Sequence, residues 1–257
     1  MSLIGISTTM KAYATRQLGG LAIAGLLATS LSIIAPRIDA RPSRHAFAPD
    51  AGRTTAPHTI SGTARVVDGD TLSVAGTRVR LEGIDAPEAG QSCKRRNGAS
   101  WACGAAATSA LQRLINGRTV VCTQSGLDRY GRVLGTCHAG NVDVSAELVR
   151  RGLAWAFVKY SYTYAEIEHQ ARAKRIGVWE ARNQPPWDYR VQHWDVAEGK
   201  APTGCAIKGN VTSKGKIYHM PWSPWYGKIR MDMDRGKRWF CSEQEAISAG
   251  WRPVGGT

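Results

Sequence analysis

The sequence predicts an α+β protein, a small antiparallel β-barrel with about three helices followed by a smaller α/β module that contains a disulfide. Three observations predict it. Between Gly62 and Gly140, short period-two runs are broken by turn residues. Helical stripes are interposed among the strands and appended to them rather than alternating with each one. After Trp187 the composition shifts, and six cysteines are spread over both parts.

The 257 residues carry 34 Lys and Arg against 20 Asp and Glu, a formal charge of +14, with 43% apolar and 21% charged residues. These values exclude a disordered acidic chain, a collagen and a coiled coil. The basic surplus favours phosphate-rich or anionic partners and argues against a DNA mimic or an acidic buffer.

From the N-terminus, Lys11 and Arg16 precede an uncharged apolar run from Leu18 to Pro36, and Ala40 follows at a small-residue position. This pattern predicts a secretory signal over residues 1–40, with a retained membrane anchor over 18–36 as the alternative. Residues 41–60 are aperiodic and rich in Pro, Ser, Thr and Gly, and are expected to be a linker. The barrel domain is expected over 61–185. Its strands read TARVV, TLSVAGTRVRL, TVVCTQ and RVLGTC.

Ala107, Ala110, Leu111, Leu114 and Ile115 form a helical stripe that ends at Asn116-Gly117. A second helix is expected from Asp143 as N-cap to Gly152, and a third from the capping box Thr163–Glu166 to about Ile176. Glu168 and Arg172 are expected to pair on the exposed face of that third helix. Five short strands with a packed helix suit an OB-like barrel. Residues 186–203 are expected to be a second linker. The module over 204–254 holds strands AIKGNV and KIYH and a short helix from Glu243 to Ala249. Residues 201–257 carry nine Lys and Arg against four Asp and Glu.

An even number of cysteines in an exported chain implies disulfides. Cys122 and Cys137 are centred on the turn Asp128-Arg129-Tyr130-Gly131, where a hairpin would bring them together. Cys93 with Cys103 and Cys205 with Cys241 then follow by elimination. A metal site on Cys205, His219 and Cys241 is the alternative for the last pair.

Three clusters carry chemistry: Asp68-Gly69-Asp70-Thr71, the segment Arg80 to Glu88, and Asp128 to Arg132. Carboxylates among Gly and Pro gather hard oxygen ligands for Ca²⁺ or Mg²⁺. Arginines beside such a cation are repelled unless an anion lies between, and phosphate matches the guanidinium fork. The combination is the signature of metal-assisted phosphate chemistry. Taken singly, each cluster is an ordinary turn or surface ion pair.

Through VVDGDTL, VRLEGIDAPE, DRYGR, ELVRRGLAW and AKRIGVW, residues 60–182 resemble the staphylococcal nuclease (thermonuclease) family. The resemblance implies an OB-fold phosphodiesterase that uses Ca²⁺ and acts on DNA and RNA, leaving 3′-phosphate ends. It implies Asp70, Asp85 and the Ala86 carbonyl as cation ligands, Arg80 and Arg132 on the scissile phosphate, and Glu88 as general base. Asp68 would act behind these or through water. Ala86 stands where the family usually has Thr. The implied partner is nucleic acid, with no stable protein partner, and a membrane only if residues 18–36 are retained. The implied location is secreted, periplasmic or cell-envelope. Mg²⁺ suits the same ligands.

Strand geometry complicates this site. With Ala75-Gly76 as a two-residue loop, Thr71 pairs with Arg80, and alternation sends Asp70 and Arg80 to opposite faces. A shared site then requires a bulge or a strong coil, expected at Gly69. Tyr160, Tyr162 and Tyr164 are candidates for stacking on bases or for packing on the barrel. Trp155, Trp179 and Trp187 are expected to be buried packing. Two rival readings are a catalytically silent OB-type binder of nucleic acid and an envelope structural or adhesion protein whose basic C-terminal module meets an anionic polymer. Trp222, Trp225, Tyr226, Trp239 and Trp251 are candidates for a nucleic-acid or wall-polymer surface or for the core of that module.

Overall fold

The computed structural model describes residues 58–128 and 130–254, which fall within one compact unit. The predicted signal and most of the first linker lie outside the described residues. Strands β1 (Thr59–Gly62), β2 (Ala64–Asp68), β3 (Thr71–Val74), β4 (Thr77–Leu81) and β5 (Ile84–Asp85) come first, followed by the short pair β6 (Cys93–Lys94) and β7 (Ser100–Trp101). Helix α1 (Cys103–Ile115), β8 (Val120–Leu127), β9 (Val133–Ala139), β10 (Val142–Asp143), α2 (Val144–Arg150), β11 (Trp155–Ala156) and α3 (Ala165–Ala173) complete this part.

The main sheet runs β1-β8-β9-β4-β3-β2, with β10 on β9. The five predicted strands are its centre, and β1 and β10 extend it. One pairing departs from the antiparallel expectation: β4 and β9 are parallel, Arg80 facing Leu134. Because α1 and β8 intervene between them, the chain returns to β4 in the same direction. Strand β1 also takes up two residues expected in the first linker, pairing Thr59 with Thr123. Leu72, Val74, Val79 and Leu81 of the sheet, Ala107, Ala110 and Leu111 of α1, and Leu148 and Val149 of α2 enclose one core.

Local chemistry sets the helix ends. The Asp143 carboxylate accepts from the Ala146 N–H at 3.0 Å, capping α2 as expected. The capping box predicted for α3 does not form. Its N-cap is Tyr164, whose side chain makes no capping bond, and the Thr163 hydroxyl bonds Ser161 instead. Glu168 is not on an exposed face: it is 8% exposed and accepts from the Ala156 N–H at 2.6 Å, while Arg172 pairs with its other oxygen at 2.7 Å. The burial arises because α3 packs over β11, whose edge N–H needs an acceptor.

The second predicted linker is a helix, α4 (Pro186–Glu198), closed by a 3₁₀ turn over Pro202–Gly204. Pro186 begins the helix, where a missing N–H is harmless. Trp187 stacks on Phe157 at 5.6 Å, and Trp194 lies 6.5 Å from Trp222, so each end is fastened by an indole. The module beyond it comprises β12 (Ile207–Thr212), β13 (Gly215–His219), β14 (Arg238–Phe240), α5 (Glu243–Ser248) and β15 (Arg252–Pro253). Its sheet order is β14-β12-β13-β15 around Ile207, Tyr218, Phe240, Ala246 and Trp251.

All three expected disulfides form: Cys93–Cys103, Cys122–Cys137 and Cys205–Cys241. Cys122 and Cys137 are direct partners across β8 and β9. With Cys205 and Cys241 in a disulfide, the alternative metal site has lost its thiolates. Trp155 is 3% exposed and packs edge-on against Trp179 and Trp187 beside the first disulfide, as expected of buried packing. Among the described residues, no helix is long and apolar enough to cross a membrane.

Candidate active site

Strand β2 carries an irregularity at Val67, between the pairs Val66–Leu72 and Asp68–Thr71. It precedes the position expected from the sequence, Gly69. Gly69 and Asp70 are instead the two turn residues that link β2 to β3. Asp70 keeps one bond to β4, its carbonyl accepting from the Leu81 N–H at 2.8 Å, but the regular pairing ends at Thr71–Arg80 and the irregularity in β2 lets its carboxylate reach Arg80. The Asp70 N–H donates to the Asp68 carboxylate at 3.2 Å, which shapes the turn. Gly69 is required by a close approach: a Cβ there would lie 2.9 Å from the Ala86 Cβ. That contact seats the turn against the segment that follows β5.

Arg80 is the residue on which two acids converge. Its Nη1 donates to Asp70 Oδ1 at 2.5 Å and its Nη2 to Asp85 Oδ1 at 2.9 Å. The other Asp70 oxygen accepts from the Ala86 N–H at 2.8 Å. Asp70 is 3% exposed and Asp85 is fully buried. Burial pushes the Asp70 carboxyl above its ordinary value, and Arg80 and the Ala86 N–H oppose this without overcoming it. Burial works against the Arg80 charge too, but Asp70 and Asp85 outweigh it and hold the guanidinium above its usual range.

Glu88 follows this segment. Its backbone is fixed by Gln91, which is 2% exposed: the Gln91 Oε1 accepts from the Glu88 N–H at 3.1 Å, and the Gln91 N–H donates to the Glu88 carbonyl at 2.7 Å. The start of α1 comes so close that a Cβ on Gly104 would lie 1.8 Å from the Glu88 carbonyl oxygen. Burial is the largest influence on the Glu88 carboxyl and pushes it up to about 8, although Arg190 pulls the other way.

Arg132 is placed differently. Asp128 accepts from its Nε at 2.6 Å and from its backbone N–H at 2.9 Å, within the turn between β8 and β9. Burial favours the neutral Asp128 carboxyl, but the bonds from Arg132 outweigh it and leave its pKa lowered. Arg132 stands two residues before Leu134, the partner of Arg80, and makes no direct bond to Asp70, Asp85 or Arg80. The structure thus brings Asp68, Asp70, Arg80, Asp85, Ala86 and Glu88 together, whereas Arg132 is held separately on its own carboxylate, Asp128.

Three residues escaped the sequence reading. Gln91 braces Glu88. Arg78 lies two residues from Arg80 on β4, and its buried Nη2 has no hydrogen-bond partner. Arg190, on α4, donates to both Asp85 oxygens at 3.1 and 2.6 Å and to Glu88 Oε1 at 2.8 Å. No sequence motif marks Arg190. The only signal was Pro186 at a helix start, which would have placed a helix there.

Tyr160 and Tyr162 are 74% and 78% exposed, whereas Tyr164 is buried and donates its hydroxyl to Asp143 at 2.9 Å. Tyr164 is therefore packing, and the other two remain available at the surface.

The donor set suits a hard divalent cation. Four carboxylates, Asp68, Asp70, Asp85 and Glu88, face two guanidiniums, those of Arg80 and Arg190. Such a deficit of positive charge is what a cation would relieve, and every donor is oxygen. No group of three or more His, Cys, Asp or Glu at metal-holding spacing occurs among the described residues. A cation here would rest on Asp70, Asp85, the Ala86 carbonyl and water.

A family model described as staphylococcal nuclease homologue matches residues 78–181, and a second, described as ArfC, matches residues 193–253. The succinoglycan biosynthesis protein ExoI of Rhizobium meliloti is 39% identical over 145 residues, covering 55% of this chain and 74% of that protein. An uncharacterised endonuclease of Escherichia coli is 35% identical over 134 residues, 49% of this chain and 81% of the relative. The micrococcal nuclease of Shigella flexneri is 36% identical over 144 residues, 49% of this chain and 77% of the relative.

Proposed function

Because the chain belongs to the staphylococcal nuclease family, we propose that it is an exported Ca²⁺-dependent nuclease that hydrolyses phosphodiester bonds of DNA, RNA or both. The observation that carries this reading is the bridge from Arg80 to both Asp70 and Asp85, at 2.5 and 2.9 Å, which joins the acidic turn and the arginine strand into one site.

Asp70, Asp85 and the Ala86 carbonyl would hold the cation, with Mg²⁺ suiting the same ligands. Bound there, it supplies Lewis-acid polarisation of a phosphate oxygen. The other roles belong to the chain. Arg80 stabilises the negative charge that builds on phosphorus, and its two acidic partners keep it charged and oriented. Arg132, held at Nε by Asp128, keeps its Nη groups for a phosphate oxygen. Glu88 takes a proton from the attacking water. Its elevated pKa suits that task, since a base titrating near the working pH transfers protons best. Asp68 fixes the turn beneath Asp70. Tyr160 and Tyr162 offer exposed rings for bases to stack on. Products carrying a 3′-phosphate complete the reading.

Three disulfides and the apolar N-terminal run support export. The test is incubation of the purified chain with heat-denatured DNA, plasmid and RNA, in Ca²⁺ and in chelator, with end-group analysis of the fragments. Ca²⁺-dependent fragments ending in 3′-phosphate are expected. Salt-sensitive binding without cleavage would support the silent binder instead.

A further inference from the structure

The feature that the nuclease reading leaves unused is Arg190. It comes from α4, beyond the residues that match the nuclease family model. Its two terminal nitrogens span both oxygens of Asp85, and Nη1 also bonds Glu88. One guanidinium thus sits across a cation ligand and the general base. Asp85 Oδ1 is shared with Arg80, so neither Asp85 oxygen is without a guanidinium donor. A divalent ion at Asp85 meets Arg190 as a positive charge already in its place.

The two arginines differ in their anchorage. Arg80 lies on a strand paired on both sides, with Thr71 and with Leu134, and has no room to retreat. Arg190 rides on a surface helix whose buried residues are only Pro186 and Ala197, and which leaves Val191 and Val196 exposed at 60% and 54%. Between the indoles at its two ends, the Arg190 pairs tie α4 to the acidic cluster, and Tyr189 beside it lies within reach of the Glu88 charge. The module beyond α4 rests on the same region, Gly90 packing against Pro224 and the Trp222 carbonyl.

We propose that Arg190 is an internal counter-cation that latches α4 over the acidic cluster and is displaced when a divalent ion takes Asp85. This rests on the reading of Asp70 and Asp85 as cation ligands. The C-terminal segment then controls the nuclease site: without the ion the carboxylates are neutralised and the site is covered, and with it the helix is released and the site opens to substrate. The coupling is reciprocal, so whatever holds α4 in place weakens ion binding.

The experiment is calorimetric titration of Ca²⁺ into the metal-stripped full chain, as wild type, Arg190→Ala and Arg190→Gln. Hydrogen–deuterium exchange of the 186–198 peptide with and without Ca²⁺ accompanies it. Ca²⁺ is expected to bind both variants at least tenfold more tightly than wild type. In the wild type, exchange of 186–198 is expected to rise when Ca²⁺ saturates the site, a readout that needs no variant to fold. Equal or weaker affinity in both variants, or α4 protection that stays constant in the wild type, would overturn the latch while leaving the cation site intact. No Ca²⁺ binding to any of the three proteins would overturn the ligand assignment and the latch together.

Discussion

At the scale of the residue, the site turns on buried and half-buried carboxylates held by guanidiniums. On the proposed reading Glu88 is a base and one source of catalysis among several, so Glu88→Gln is expected to slow cleavage by about 10²–10⁴-fold while leaving it measurable. The Glu88 carboxyl also couples stability to pH. Its folded value of about 8 lies above the ordinary 4.5, so the folded state holds the proton more tightly. Its contribution to stability is complete below about pH 4.5 and is lost as pH rises through 8. In chelator, the melting temperature of the wild type relative to Glu88→Gln is expected to fall across that window; a constant difference would contradict the assignment. Asp70, Arg80 and Asp85 were legible in the sequence because short motifs carry them. Arg190 was not, because its acidic partners are 105 and 102 positions away and no motif surrounds it.

At the scale of the element, a two-residue turn decides whether the site exists. The pairing Thr71–Arg80 and the loop Ala75-Gly76 followed from turn chemistry, and the structure has both. That the Asp70 carboxylate turns toward Arg80 depends on the irregularity that ends β2, which is seated by the packing beneath Gly69. Gly69→Ala places a methyl against Ala86, and is expected to destabilise the chain by about 1–3 kcal/mol, read by chemical denaturation, and to weaken Ca²⁺ binding. Helix α4 is not legible in the sequence: Pro and Gly make the segment look like a linker, and its apolar residues form no continuous stripe. Its ends are fastened to two different clusters rather than one, so the periodicity that marks an ordinary surface helix never arises. The same reasoning covers Glu168, whose burial depends on β11 lying beneath α3.

At the scale of the whole molecule, the barrel and the C-terminal module share one compact unit, joined by a helix that touches the acidic cluster. Covalent staples support this arrangement. Replacing Cys122 and Cys137 with Ser releases a 15-residue separation between β8 and β9, and is expected to cost about 3 kcal/mol, checked by urea denaturation against wild type. Because that hairpin also carries Asp128 and Arg132, the loss is expected to reach activity as well as stability. The α+β class, the strands of the barrel and the three cysteine pairs were legible from periodicity, turn residues and spacing. The coupling between the two parts was not, because it depends on contacts between segments about a hundred residues apart.

On the proposed reading, Asp70, Asp85 and Arg80 form one site at which phosphodiester bonds are broken. The most direct test is the single-turnover rate of single-stranded DNA cleavage by Arg80→Ala at saturating Ca²⁺, beside wild type. A fall of about 10²–10³-fold with substrate binding largely retained is the predicted result. A rate equal to that of wild type would contradict it.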